Sequence, residues 1–504
     1  MVRKNKIKFF LKNNWLIIAI WLVGLFLRSY RQGDLLGFYY DQGRDALMAQ
    51  DIISGKNFPA IGPTTGIKGL YLGPFWFYLI TPGYFFGRGN PAIASLFIEF
   101  LESLTIPLIY LLLKKYWNKT GAILAATFWS FSYYLILSSR WFSNPSPLPF
   151  FVLLIIYFLL EVFNYKKYKY WPIIFLLLGL SLQLEAASAV FFIPVILVFS
   201  LINYRFLLKI KFKIWLQAAF SFFILLIPQF AFEFKNNFFI TKNLFGFLTG
   251  KVNSSTGKSW AIPNLHFIKE RFLVFYNILF SKLDTNVTWI SIVFLIIFII
   301  SVILLSTRLK NKFVQILMLW LFIPLFLLLF FVGNYGNLYD YYLTGFFPSF
   351  IIIFSLGLTF FNKSILNKLL LIIIFILFCK GNLSFIKNKL SAGIDGPEHI
   401  TLGNQKWALN KICQETRDKK YNLSVYVPPY TPYSYDYLMN WYVKEGKCSF
   451  PIKEEVDSIF LIYEVDPANP ERLNTWLQDN TATIKSKTNY GGVHVQERVR
   501  NVKK

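Results

Sequence analysis

Metal-binding and acidic residues are scarce in this sequence. It holds three cysteines and three histidines in 504 residues. Cys379, Cys413 and Cys448 match no metal-ligand spacing, and His266, His399 and His494 form no cluster, so no resident transition metal is expected. No Walker or Rossmann glycine motif occurs, which removes the usual cradles for ATP and dinucleotides. There is no internal repeat and no matched pair of broken helices in two halves, against the common plans of secondary transporters. Asp and Glu number 26 against 52 Lys and Arg, a net charge of +26. Gathered in one patch, that excess would point to nucleic acid. Here the basic residues sit in short clusters between apolar runs, which is membrane topology, and no nucleic-acid partner is expected.

What is abundant is apolar surface. Hydrophobic residues make up 55% of the chain, in repeated runs near the ~20 residues that span a bilayer. The expected class is therefore a mainly α, polytopic membrane protein. Arg3, Lys4, Lys6, Lys8 and Lys12 precede the apolar run Trp15 to Leu27, and no small-residue cleavage site follows. That predicts an uncleaved first helix with a cytoplasmic amino terminus. Whether Leu70 to Phe86 crosses then decides the side of every later loop. If it does not, helices near 91–113, 119–138, 146–163, 171–186, 188–204, 212–230, 287–306, 313–332, 344–361 and 366–381 place the clusters at Lys114-Lys115, Lys166-Lys167, Arg205 to Lys213, Arg308 to Lys312 and Lys363 inside. Crossing would turn most of them outward, against the positive-inside bias. Gly73, Pro74, Pro82 and Gly83 also suit a juxtamembrane or re-entrant segment. The count is about 11 spans.

That odd count puts the carboxy-terminal tail outside. The boundaries expected are a transmembrane domain over 1–383, with a first outer loop at 31–90 and a second at 232–286, and an extracytoplasmic domain over 384–504. Helices over Gly403–Lys419, Tyr433–Lys444 and Pro470–Asp479, and strands over Leu423–Val427 and Ser458–Val465, make the tail a small α/β domain. Cys413 and Cys448 both fall there, where a disulfide is chemically allowed. Gly250 to Lys258 reads as the flexible centre of the second loop, and Asn253 opens a sequon of no evident meaning.

Charge that the neighbouring helices exclude gathers between Gly37 and Asn90. Asp41, Arg44, Asp45 and Asp51 are followed by Lys68. From Asp45 to Ser54, Ala46, Ala49 and Ile53 share one face, widened by Leu47, Met48 and Ile52, as in a helix lying along a membrane surface. With no ATP outside the cell, a reaction there needs an activated donor that arrives through the membrane. A lipid-linked sugar phosphate fits, since its leaving group needs no protonation. One carboxylate base for the acceptor hydroxyl and cations for the phosphate suffice. Asp41 is the candidate base, with Arg44, Lys68 and Arg140 as phosphate partners. Asp41 is equally read as the N-cap of the following helix, and both roles are compatible. Arg44 and Asp45 also read as a simple interfacial pair.

Other ionisable and aromatic residues are candidates for holding substrate. Glu99 and Glu102 share a face within a span, either as functional groups or as members of a polar bundle interior paired with Arg88 or Arg140. Glu185, beside Gln183, and Asn144, after Arg140, lie near expected outer ends. Tyr339 and Asp340, in the aromatic run Tyr335 to Tyr342, fit either sugar stacking or an ordinary interfacial belt.

These features together resemble the GT-C glycosyltransferases that use polyprenyl-phosphate sugars, the protein O-mannosyltransferase and aminoarabinose-transferase superfamily. The resemblance rests on Tyr40-Asp41-Gln42 after the first helix, the amphipathic helix and Gly55-Lys-Asn-Phe-Pro turn, Gly73-Pro-Phe-Trp-Phe-Tyr before the second span, and Lys114-Lys115 at its inner end. It covers roughly Met1 to Tyr204. It implies a GT-C fold, Asp41 as catalytic base, and Arg140 with Asn144-Pro145 in the family's basic position and polar turn. The related enzymes often work without a divalent cation, so no cofactor is expected, although Mg²⁺ or Mn²⁺ would find carboxylates here. The function this implies is an integral, inverting glycosyltransferase of the plasma membrane. It would take a polyprenyl-phosphate sugar and a lipid, polysaccharide or protein acceptor. The alternative is a lipid-linked glycan transporter or polymerase, which would need polar residues spread along a central path; a structural scaffold leaves Asp41, Glu99 and Glu102 unexplained.

Overall fold

The computed structural model describes residues 2–67, 69–249, 263–331, 337–361, 365–417, 419–428 and 431–500. Lys68, the Gly250–Lys258 segment with Asn253, Tyr335 and Lys363 lie outside them. Helices form where the apolar runs predict them. Among the described residues six are long and apolar enough to cross a membrane: Lys12–Leu35, Pro91–Tyr116, Leu148–Tyr165, Phe212–Lys235, Trp289–Ser306 and Lys368–Ser391. A seventh span results if Lys119–Phe131 and Tyr133–Arg140, bent by 60°, act as one. The molecule is thus a multi-pass membrane protein.

Four further expected spans are present as shorter apolar helices, Tyr168–Leu184, Ala186–Ile202, Lys312–Leu328 and Phe347–Leu358. At about 1.5 Å per residue the shortest covers roughly 18 Å, well under the ~30 Å hydrocarbon thickness. The expectation of about 11 full spans is therefore met by six or seven, with the remaining apolar runs forming shorter pieces. Phe75–Phe86 is a helix of 12 residues, too short to cross, in keeping with a juxtamembrane or re-entrant element.

The two ends of the bundle are chemically distinct. At one end Glu161, fully buried, accepts from Lys115, from Lys167 Nζ at 2.6 Å and from Tyr116 Oη at 2.5 Å. Lys312 donates to the Phe163 carbonyl at 2.6 Å, and the Arg308 guanidinium lies over Trp117 at 5.4 Å. Basic residues assigned to one side by sequence thus meet at one end. At the other, Asn382 accepts from the Tyr133 amide at 2.9 Å and donates to the Leu283 carbonyl at 2.7 Å, and Arg31 donates to the carbonyls of Leu390 and Ala392. The first loop and the carboxy-terminal domain sit on this second end.

That domain contains a four-stranded sheet, ordered β1 (Asn422–Tyr426), β2 (Ser458–Glu464), β4 (Val493–Val499), β3 (Thr483–Tyr490). β1 and β2 are parallel, joined through the helix Tyr433–Lys444, and the other pairs are antiparallel. Ile462 of β2 is fully buried in one core with Leu409 and Ile412 of the helix Leu402–Glu415. Cys413 and Cys448 are joined in a disulfide, which ties that helix to the segment after Tyr433–Lys444 and shortens the unfolded chain's freedom.

Candidate active site

The charged stretch of the first loop folds as the helix Tyr40–Ile53. Tyr39 precedes it in an extended conformation, and its amide donates to the Gln42 side chain at 3.2 Å, one arm of a capping box. Asp41 therefore lies inside the first turn. The N-cap reading is corrected: Tyr39 holds that position, and Asp41 is the second residue of the helix. Asp41 still favours the helix, as any carboxylate in a first turn does. The chain leaves the helix at Gly55, whose φ of 71° suits glycine.

The helix buries Gln42, Gly43, Asp45, Ala46 and Ala49. This is the expected helical spacing, but the face meets protein and not lipid. Trp76 of the helix Phe75–Phe86 donates to Asp45 Oδ2 at 2.7 Å, and Gln42 donates to the Phe142 carbonyl at 3.1 Å. On the other flank Tyr40 packs against Tyr433 at 5.0 Å, and a Cβ on Gly43 would collide with the backbone of Tyr433 and Ser434. Gln405 donates to the Phe38 carbonyl at 2.9 Å and to Glu464 at 3.1 Å. Burial raises the Glu464 carboxyl to about 7, against the hydrogen bonds from Gln405 and Tyr435. The carboxy-terminal domain thus fixes the loop helix in place.

Arg44 stands between two carboxylates that differ in environment. Its Nη1 lies 2.8 Å from Asp41 Oδ1, and its Nη2 lies 2.7 Å from Asp45 Oδ1. The Asp41 side chain is 62% exposed and that of Asp45 is 4% exposed. Burial pushes the Asp45 carboxyl up to about 6, while the Arg44 charge and the hydrogen bonds from Arg44 and Trp76 pull it down. Asp45 is the fixed inner partner. Asp41 is the accessible one.

Arg140 does not join this group. It is buried, and its guanidinium donates to the carbonyls of Leu27 at 3.2 Å, Arg28 at 2.7 Å and Tyr30 at 3.0 Å. Those carbonyls end the first helix without intrahelical partners, and a cation there is favoured. Its expected place at a donor phosphate is corrected to a support of the first helix. Glu102 likewise finds neither Arg88 nor Arg140: Arg28 Nε lies 3.0 Å from its Oε2, and Ser139 donates to the same oxygen at 2.5 Å. Glu99 accepts from Ser95 at 2.7 Å and from Gln32. Both glutamates are buried in the polar interior that the second reading described.

Glu185 and Asn144 do come together. Glu185 caps the turn Ala186–Ala189 by accepting from the Ala187 amide at 3.1 Å, and Asn144 donates to it at 3.5 Å. Trp141 packs against Tyr341 at 6.2 Å, and Tyr339 stacks on Tyr341 at 5.5 Å. Asp340 is held by Lys282, whose Nζ lies 2.9 Å from Oδ1. Lys282 is a residue sequence reasoning missed. Its side chain is 2% exposed, lies over the Tyr134 and Phe347 rings at 5.0 and 4.6 Å, and is pulled toward neutrality by burial against the pull of Asp340. Only its position in a long outer loop hinted at it. Among the described residues no three His, Cys, Asp or Glu converge as metal ligands.

Residues 73–232 match the family described as dolichyl-phosphate-mannose-protein mannosyltransferase. The fold is similar to that of ArnT from Cupriavidus metallidurans in the apo state, with a TM-score of 0.58 at 12% identity, covering 96% of this chain and 98% of that one. It is also similar to ArnT from the same organism bound to undecaprenyl phosphate, with a TM-score of 0.57 at 11% identity, covering 97% and 99%. A weaker likeness, TM-score 0.45 at 13% identity over 89% of this chain and 62% of that one, is to the oligosaccharyltransferase of Archaeoglobus fulgidus. No curated protein matches the sequence. Part of the chain is thus similar to a mannosyltransferase family, and the fold along its whole length is similar to that of the two ArnT structures.

Proposed function

We propose that this enzyme moves a sugar from a polyprenyl-phosphate donor to an acceptor hydroxyl at the extracytoplasmic face of the plasma membrane, with inversion at the anomeric carbon. The observation that carries this reading is the exposed Asp41 carboxylate held by Arg44 at the loop end of the bundle. Asp41 takes the proton of the acceptor hydroxyl as its oxygen attacks the anomeric carbon from the side opposite the phosphate. The bond to the polyprenyl phosphate breaks in the same displacement, and a single displacement inverts. The phosphate leaves as an anion, which Arg44, with Lys68 as its proposed companion, stabilises. That ArnT is known bound to undecaprenyl phosphate supports a donor of this kind. Glu185, Asn144 and Tyr339 are proposed to border the sugar. The amino terminus is proposed to be cytoplasmic and the carboxy-terminal domain to lie outside, a reading that the positive-inside argument and the disulfide support. No metal enters the scheme.

Arg44→Gln is expected to weaken donor binding roughly tenfold, the ~1.5–3 kcal/mol of a charge-assisted hydrogen bond partly made up by Gln. Titration of the purified protein with a polyprenyl-phosphate sugar measures this. Unchanged affinity would remove Arg44 from the donor site.

Asp45 makes donor binding pH-dependent. Its folded carboxyl titrates near 6, above the ordinary 3.8. Below about 6 it is neutral, one anion beside Arg44 disappears, and a donor phosphate meets less repulsion. Donor affinity is therefore expected to rise as pH falls through this range, and Asp45→Asn is expected to flatten the profile at its acidic limit. The same shift means that the folded state holds a proton the unfolded state has lost, so Asp45 lowers stability as pH rises between the two values.

A further inference from the structure

At the bundle end where Glu161 meets Lys115 and Lys167 there is a cavity of about 400 Å³ that none of the chemistry above uses. The ends of three apolar helices build it. Lys12 opens the span Lys12–Leu35, Lys114 stands in the last turn of Pro91–Tyr116, and Lys119 opens Lys119–Phe131. Lys12 and Arg28 stand on one helix, about 24 Å apart at ~1.5 Å per residue, so most of the bilayer separates the cavity from the end that carries Asp41.

Three observations say what fits. First, the cations are unmatched. Lys115 and Lys167 are neutralised by Glu161. Among the described residues, by contrast, no Asp or Glu lines the cavity, and Lys12, Lys114 and Lys119 form no ion pair. Three positive charges around one cavity call for an anion. Second, Lys114 is held in place. Its Nζ donates to Asn14 Oδ1 at 3.2 Å and lies 5.2 Å from the centre of the Tyr110 ring, and Tyr110 Oη donates to the same oxygen at 3.3 Å. Asn14 and Tyr110 are both buried, so the ammonium is fixed before anything binds. Third, the cavity is amphipathic and borders lipid. Ile17 and Ile123, each about one turn further into the bilayer than Lys12 and Lys119, line its deeper part. Trp15 and Leu16, 64% and 37% exposed, flank it on the outer surface of the bundle. A tryptophan at the start of a span marks the level of the lipid headgroups. A free anion would use the lysines alone. A lipid uses them for its phosphate and the apolar flank for the start of its chains.

We propose that this cavity binds the phosphate of an anionic phospholipid, with its chains along Trp15 and Leu16, and so clasps the first helix to the helices that end at Lys114 and begin at Lys119. The site stands apart from the one proposed for the sugar donor, and it is independent of the transferase reading.

The test uses full-length protein in detergent, with lipid binding read by native mass spectrometry. The probes are dioleoyl phosphatidylglycerol, dioleoyl phosphatidylcholine with the same chains and no net charge, and inorganic phosphate. Phosphatidylglycerol is expected to bind at least roughly tenfold more tightly than phosphatidylcholine, since each lysine near the surface is worth roughly fivefold. The triple variant Lys12→Gln, Lys114→Gln, Lys119→Gln is expected to lose that preference. Asn13→Trp, which fills the cavity and leaves every charge in place, is expected to lose it as well. Asn13 and the three lysines are exposed, so these variants keep their fold. A control triple, Lys209→Gln, Lys211→Gln, Lys213→Gln, removes exposed lysines from the same bundle end and is expected to bind as the wild type does. Equal loss in the control, or an undiminished preference in Asn13→Trp, would assign the effect to the basic surface at large and overturn the proposal. Inorganic phosphate that binds as tightly as phosphatidylglycerol and displaces it would overturn it too, because the ligand is then a free anion. Equal binding of the two lipids by the wild type would leave no site to explain.

Discussion

Asp41→Asn is expected to lower kcat by roughly 10²–10⁴-fold, the range for loss of a positioned general base, with donor binding unimpaired. Asparagine keeps the size of the side chain and can still accept from Arg44, so the first turn of the loop helix and its packing on Tyr433 persist. What disappears is the one exposed carboxylate of the Asp41–Arg44–Asp45 group. Removing its charge leaves Arg44 more attractive to the donor phosphate, so affinity holds or increases while turnover collapses. Single-turnover transfer of labelled sugar, measured beside donor binding, separates the two. Transfer at the wild-type rate would assign Asp41 to helix stabilisation alone. Equal losses of binding and turnover would make it a donor contact.

The second large effect belongs to a residue far from the acceptor. Arg28 is fully buried. It donates to Glu102 and Ser139 at 3.0 Å each, to the carbonyls of Gly24 at 3.0 Å and Ser130 at 3.2 Å, and to that of Trp129 at 3.1 Å. One side chain thus joins the first helix, the span carrying Glu102, and both pieces of the bent pair around Ser132. Arg28→Met leaves the Glu102 carboxylate in an apolar bundle without its cation, at a cost of about 3–5 kcal/mol. Thermal denaturation in nanodiscs is expected to show a clear fall in Tm. The double variant Arg28→Met, Glu102→Leu is expected to recover much of it, because the uncompensated charge is gone. Recovery of stability without recovery of transfer would show that the pair also sets the geometry above it. A single variant as stable as the wild type would contradict the ion-pair account.

The parts of the molecule that follow from local chemistry were legible in the sequence. The helices Tyr433–Lys444 and Pro470–Asp479 fall on their expected boundaries, because each begins at or just after a proline and has an apolar or aromatic periodicity. Lys115, Lys167, Arg308 and Lys312, which the sequence groups on one side, meet at one end of the bundle, since charge is excluded from lipid wherever the helices end. Pairings between distant residues were not legible. Arg140 and Arg28 are both arginines at helix ends, and nothing in the sequence says which of them meets Glu102. β3 and β4 went unread because Thr483–Tyr490 is polar and charged along its length, as a solvent-facing edge strand is, with only Gly491-Gly492 marking the hairpin. Similarly, the amphipathic pattern of the loop helix gave its buried face but not what covers it. That face is capped by a domain about 400 residues further along the chain.

The most direct test of the account is sidedness and stereochemistry of transfer in sealed proteoliposomes of known orientation, with a polyprenyl-phosphate sugar of defined anomeric configuration in the bilayer. The account predicts that the sugar reaches a hydroxyl acceptor only on the side of the carboxy-terminal domain, and that the product has the opposite anomeric configuration. Movement of the intact lipid-linked sugar across the bilayer with no transfer, or transfer with retained configuration, would contradict it.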